Sequence, residues 1–205
     1  MKNAIWIGIF VLFSLTVGCS HNVPLRHSLE LSNPPNPKLV NKVVLVMPSD
    51  QANLVIRHKP DPLADTYVFA GGTAIKDTLM SVLGQLFQEA TFADALNEGQ
   101  SPYDMAIEVN LNNYEIILNI YTGNVVNLGI DYTVYNREGS KIKLISTNAS
   151  SKDRYSGGDL AATFLAGAFY NIGKMKASSG AAWDQATTNS IAELVDNLMI
   201  IAKAQ

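Results

Sequence analysis

A chain of 205 residues with 18 acidic and 15 basic side chains carries a net charge of −3. That balance, with no basic cluster, excludes a nucleic-acid footprint. A single cysteine excludes a disulfide framework and a cysteine-rich metal site.

The N-terminus is informative. Lys2 is followed by an uncharged run from Ala4 to Val17, then by Gly18, Cys19 and Ser20. A positive residue, an apolar stretch and a small residue before a cleavage point describe a secretory signal. The run is shorter than the roughly 20 residues of a membrane span. Leu15-Thr16-Val17-Gly18-Cys19 resembles the lipobox of bacterial lipoproteins, although Thr16 stands where that family has Leu or another aliphatic residue. The resemblance implies a diacylglycerol on the Cys19 thiol, cleavage before Cys19 and acylation of the new amine. Ser20, which is not the Asp of a retention signal, implies sorting to the inner leaflet of a Gram-negative outer membrane, facing the periplasm. Residues 1–18 are thus expected to be removed. The remaining 187 residues carry a net charge of −4, since only Lys2 is lost, and give no electrostatic reason to bind anionic lipid.

Residues 20–41 hold Pro24, Pro34, Pro35 and Pro37, with Asn33, Asn36 and Asn41. Prolines interrupt helices and central strands, so the stretch reads as a flexible tether of ~26 Å on average and ~70 Å fully drawn out. A loop packed on the domain is the alternative. Residues 42–205 are expected to form one periplasmic domain, long enough to bury a core without disulfides.

Lys42–Met47 is a short, β-branched apolar run before Pro48, the pattern of a strand buried on both faces. Residues 49–69 show no clean period and read as loop, with one short strand at Asn53–Ile56. Gly71-Gly72 opens a helix whose stripe is Ile75, Leu79, Val82, Leu83, Leu86 and Ala90. Thr73 is placed to cap it, and Glu89 or Thr91 to end it. Residues 103–120 alternate with a change of phase at Asn112-Asn113, which requires a bulge or a tight turn. Val126–Val134 keeps one parity, Asn136-Arg137-Glu138-Gly139 is a hairpin turn, and Lys141–Asn148 returns with Ile142 and Leu144 facing in and Lys141 and Lys143 facing out. Residues 159–173 carry no charge after Asp159, as a core helix or as a docking face made by Phe164, Leu165, Phe169 and Tyr170, and Lys174, Lys176 and Gly180 mark the exit of that segment. Trp183, Thr187, Ile191, Leu194, Val195, Leu198 and Ala202 form the stripe of a last helix. The fold class is α+β, a mostly antiparallel sheet of four to five strands with helices on one face.

No catalytic constellation is evident. His21, His27 and His58 lack metal-ligand spacing, and no Gly-x-Ser-x-Gly or His-Glu-x-x-His motif occurs. Neither a metal nor a cofactor is expected. Lipobox, Pro-rich stretch, buried strand, the helix after Gly71-Gly72, the strand into Asn136-Arg137-Glu138-Gly139 and the terminal helix together resemble small proteobacterial outer-membrane lipoproteins of the YajG and LptE-like kind. That resemblance implies a non-enzymatic role in the envelope: a binding or accessory subunit of an assembly or transport system, held in the membrane by its lipid and paired with an envelope protein. The other readings are a lipoprotein that self-assembles through residues 159–173, and a hydrolase of peptidoglycan or lipid using carboxylates near Asp50, Asp61 and Asp65.

Overall fold

The computed structural model describes residues 19–60, 65–96, 102–119, 123–153 and 168–204. The architecture is α+β. Its strands are β1 (Ser20–Asn22), β2 (Leu39–Val46), β3 (Ile56–His58), β4 (Thr66–Phe69), β5 (Phe87–Ala93), β6 (Met105–Ile117), β7 (Asn124–Asn136) and β8 (Lys141–Asp153). The helices are α1 (Ser49–Ala52), α2 (Gly71–Leu86) and α3 (Ala168–Ala204). Five strands form one sheet in the order β5-β2-β6-β7-β8, and three form another in the order β1-β4-β3. In the larger sheet β2 runs parallel to both β5 and β6, and β6, β7 and β8 follow as an antiparallel meander.

Strand β2 sits between two neighbours and is buried on both faces, as its unbroken apolar run requires. Val43 and Leu45 enter the main core, whereas Val44 and Val46 meet Ala106 on the opposite face. The main core forms where α2 and α3 cover one face of the larger sheet. Ile75, Leu79, Val82, Leu83 and Leu86 of α2 meet Val126, Leu128, Ile130, Tyr132 and Val134 of β7 and Trp183, Ile191, Leu194 and Leu198 of α3. Each of these is at most 1% exposed, and full burial of one such aliphatic side chain is worth about 1.5–3 kcal/mol. A polar chain crosses this core. The Tyr132 hydroxyl lies 2.9 Å from Ser190 Oγ, which lies 2.6 Å from Thr147 Oγ1. Burial pushes the Tyr132 phenol well above its usual range, so it stays neutral.

The change of phase in β6 is a bulge between Leu111 and Asn113 within one continuous strand. The hairpin turn also forms where expected: Gly139 has φ 75°, and its N–H donates to the Asn136 carbonyl at 3.0 Å.

Several expectations are corrected. Residues 49–69 hold two short strands, β3 at Ile56–His58 rather than Asn53–Ile56 and β4 at Thr66–Phe69, and Ser49–Ala52 is a helical turn. Helix α2 stops at Leu86, and Ala90 belongs to β5, an edge strand that shows no periodicity of its own. Ala70 stands at the α2 N-cap without a side-chain bond, while the Thr73 hydroxyl donates to the Ala52 carbonyl at 3.3 Å. Lys174, Lys176 and Gly180, read as a helix exit, lie inside the single 37-residue α3.

Residues 20–38 lie on the domain, in contrast to the flexible tether. Val23 is 6% exposed, and Leu25, Leu29 and Leu31 pack against the core. Prolines deny this stretch a regular pattern of its own, so polar side chains of α2 satisfy its backbone. Gln85 accepts from Leu31 N–H at 2.8 Å and donates to the Leu29 carbonyl at 2.6 Å, and the Thr78 hydroxyl donates to the Arg26 carbonyl at 3.3 Å. Asp184 of α3 accepts from Arg26 N–H at 2.9 Å.

Candidate functional site: the Cys19 end and the open sheet face

Cys19 is exposed and its thiol is free. It stands directly before β1, whose Ser20, His21 and Asn22 pair in parallel with Thr66, Tyr67 and Val68 of β4. The Cys19 backbone is held on both sides. Its N–H donates to Asp65 Oδ1 at 2.9 Å, and its carbonyl accepts from Thr66 N–H at 2.9 Å. The second Asp65 oxygen lies 3.0 Å from His21 Nε2. The His21 ring in turn tilts against Tyr67, with centroids 6.0 Å apart. No local pattern announces the His21–Asp65 pair, because 44 residues separate the two and only the β1–β4 register joins them.

The other expected residues fall elsewhere. Phe164 and Leu165 lie outside the described residues, and Phe169 and Tyr170 fall in the first turn of α3. Asp50 is exposed in α1, Asp61 lies outside the described residues, and Asp65 is engaged with Cys19 and His21. Among the described residues no group of three or more His, Cys, Asp and Glu side chains is placed to hold a metal ion. No helix among them is long and apolar enough to cross a membrane.

A second polar feature occupies the sheet face away from the helices. The bulge turns Asn112 toward Gly129 of the neighbouring strand β7. A Cβ on Gly129 would lie 2.3 Å from Asn112 Oδ1 and 3.2 Å from Asn148 Oδ1. Glycine is therefore needed for this close approach. Around it lies an open depression of about 160 Å³ lined by Asn113, Asn127, Asn148 and Ser150. Asn127 is oriented by a 2.7 Å bond to Glu115. Beside it, hydrogen bonds from Ser146 and Asn112 hold the Asp131 carboxyl below its usual range. Amides and hydroxyls of this kind exchange hydrogen bonds with a polar ligand.

Strand β8 carries the last feature. Its inward parity is Ile145, Thr147 and Ala149, so Leu144 is 47% exposed and Ile142 39% exposed, opposite to the expected orientation. The register shift between Val134 and Tyr135 is the cause. Lys143 comes to the helix side, where its ammonium donates to Asn197 Oδ1 at 2.6 Å. Among the described residues β8 pairs only with β7, and its outer edge is open to an added strand.

No family model matches the chain, and no curated protein matches its sequence. A solved structure shares its fold, and a second aligns more loosely. A Xanthomonas campestris protein of the DUF330 family superposes with a TM-score of 0.55 at 12% identity, covering 91% of this chain and 97% of its own. A minor lipoprotein from Acinetobacter baumannii gives a TM-score of 0.39 at 12% identity, over 78% of this chain and 95% of its own.

Proposed function

We propose that the chain is a lipid-anchored envelope protein, tied through Cys19 to the inner leaflet of a Gram-negative outer membrane. On the periplasmic side it serves as a non-enzymatic binding or accessory subunit of an outer-membrane assembly or transport system. The observation that carries this reading is Cys19 itself: the only cysteine in the sequence, placed as in a lipobox, with an exposed thiol. Acyl chains contribute about 0.8 kcal/mol per buried CH₂, and two or three of them anchor a domain stably. Ser20 supports the outer-membrane destination. The amide-lined depression around Gly129 and the open β8 edge are the surfaces offered to a ligand or partner.

Radioactive palmitate separates this reading from its rivals. Wild type and Cys19→Ala are expressed in a Gram-negative host and the membranes fractionated. The expected result is label on the wild type alone, recovered with the outer membrane. An unlabelled wild-type protein free in the periplasm overturns the anchor and raises the standing of a soluble binding protein or hydrolase.

A further inference from the structure

We propose that the end of the three-stranded sheet bearing Cys19 is the membrane-facing surface, and that the Asp65–Thr66 clamp on Cys19 holds the domain against lipid headgroups without a free tether. The inference rests on the lipid-anchor reading and adds to it an orientation and a height.

The clamp survives maturation. Asp65 Oδ1 accepts from the Cys19 backbone nitrogen. After cleavage that nitrogen is an ammonium, and after acylation an amide N–H, so each form keeps a donor for the carboxylate. Thr66 N–H meets the Cys19 carbonyl, which processing does not touch. His21 fixes the other carboxylate oxygen, so the acceptor is aimed before the lipid is attached. Ser20 to Asn22 then continue as paired strand, and Val23 N–H donates to the Val68 carbonyl at 2.9 Å. No slack remains between the lipid-bearing residue and the folded domain.

Charge at the same end fits a headgroup surface. Strand β3 runs antiparallel to β4, pairing His58 with Tyr67 and Arg57 with Val68. The chain after His58 therefore leaves the sheet at the same end as Asp65 and Cys19, with β4 between it and Cys19, while Arg57 lies level with Asn22. Arg57 and Lys59 are exposed. Burial lowers the His58 imidazole below its ordinary value, leaving those two side chains as the fixed cations. Arg57 and Lys59, two apart in the chain, are carried by the β3–β4 register toward the end of the sheet that bears Cys19. Cations so placed favour an anionic leaflet.

The test uses full-length, lipidated protein in vesicles of phosphatidylethanolamine and phosphatidylglycerol. The thioether leaves no free thiol, so Pro60→Cys gives one labelling position beside the anchor. Energy transfer from a dye there to headgroup acceptors is expected to be high. It should fall in Asp65→Ala, together with faster exchange of the Ser20–Asn22 amides, with Asp65→Asn between the two. Arg57→Gln with Lys59→Gln should abolish the excess transfer seen on phosphatidylglycerol over phosphatidylethanolamine alone. A reference carries a Gly-Ser stretch inserted between Ser20 and His21. Palmitate-labelled wild type that transfers no better than this reference, or Asp65→Ala that changes neither transfer nor exchange, overturns the clamp and leaves the anchor standing. Absence of palmitate overturns the anchor, and this inference with it.

Discussion

Two carboxylates of this fold oppose one another in their effect on stability. Asp184 is half-buried against the N-terminal segment, and desolvation raises its pKa above the usual carboxylate value despite the Arg26 N–H bond and the nearby charge of Arg26. A group that holds its proton more tightly in the folded than in the unfolded chain favours folding in acid and opposes it once ionised. Asp131 is the reverse: bonds from Ser146 and Asn112 lower its pKa, so its contribution is present at neutral pH and lost as pH falls through the folded value. Asp184→Asn is therefore expected to raise the thermal midpoint at pH 7 and Asp131→Asn to lower it. Both differences should shrink toward zero as pH falls below the carboxylate range. Calorimetry of the three proteins across that range checks the signs, and equal effects at pH 7 and in acid would remove the electrostatic account.

The glycines of the two long helices separate propensity from packing at the scale of the element. In a helix interior, alanine in place of glycine gains about 0.5–1 kcal/mol. A Cβ at Gly84 of α2 meets open space, so Gly84→Ala should deliver that gain. At Gly180 of α3 the same Cβ would lie 2.4 Å from the Pro24 carbonyl oxygen, so Gly180→Ala should destabilise, because a backbone segment must move. Urea midpoints of the two variants should shift in opposite directions. The pair also marks how far the sequence could be read. The α2 stripe was legible because its period is uninterrupted, and the β6 bulge because a change of parity leaves no other continuous solution. Gly180 misled, since a glycine near two lysines reads as a helix exit until the segment it accommodates is known. Strand β5 was missed for a related reason. Only Phe87 is fully buried in it, and the exposed Gln88 and Glu89 that follow break any alternation. At the Cys19 end the lipobox resemblance was legible as a local motif, whereas the partner Asp65 was not. Asp65 reaches Cys19 through the β1–β4 pairing, which no short window contains.

At the scale of the molecule, the N-terminal segment decides what the domain is. A tether contributes nothing to the fold, whereas a segment that inserts Val23 into the core and spends the polar face of α2 on its own backbone is part of it. A protein beginning at Leu39 retains every strand of the larger sheet and both long helices. It uncovers the part of the core against which Leu25, Leu29 and Leu31 lay, and strips β1 from the smaller sheet. Loss of Val23 burial alone is worth about 1.5–3 kcal/mol. Against a total stability of about 5–15 kcal/mol for a domain, the shortened protein should unfold at a clearly lower urea concentration than one beginning at Cys19. Its newly exposed apolar surface should also bind a hydrophobic dye. Coincident midpoints would show that residues 19–38 hang free of the domain, and Cys19 with them. A lower midpoint ties the anchor to the core by a continuous path, from the clamped cysteine through β1 and Val23 to the face between α2 and α3.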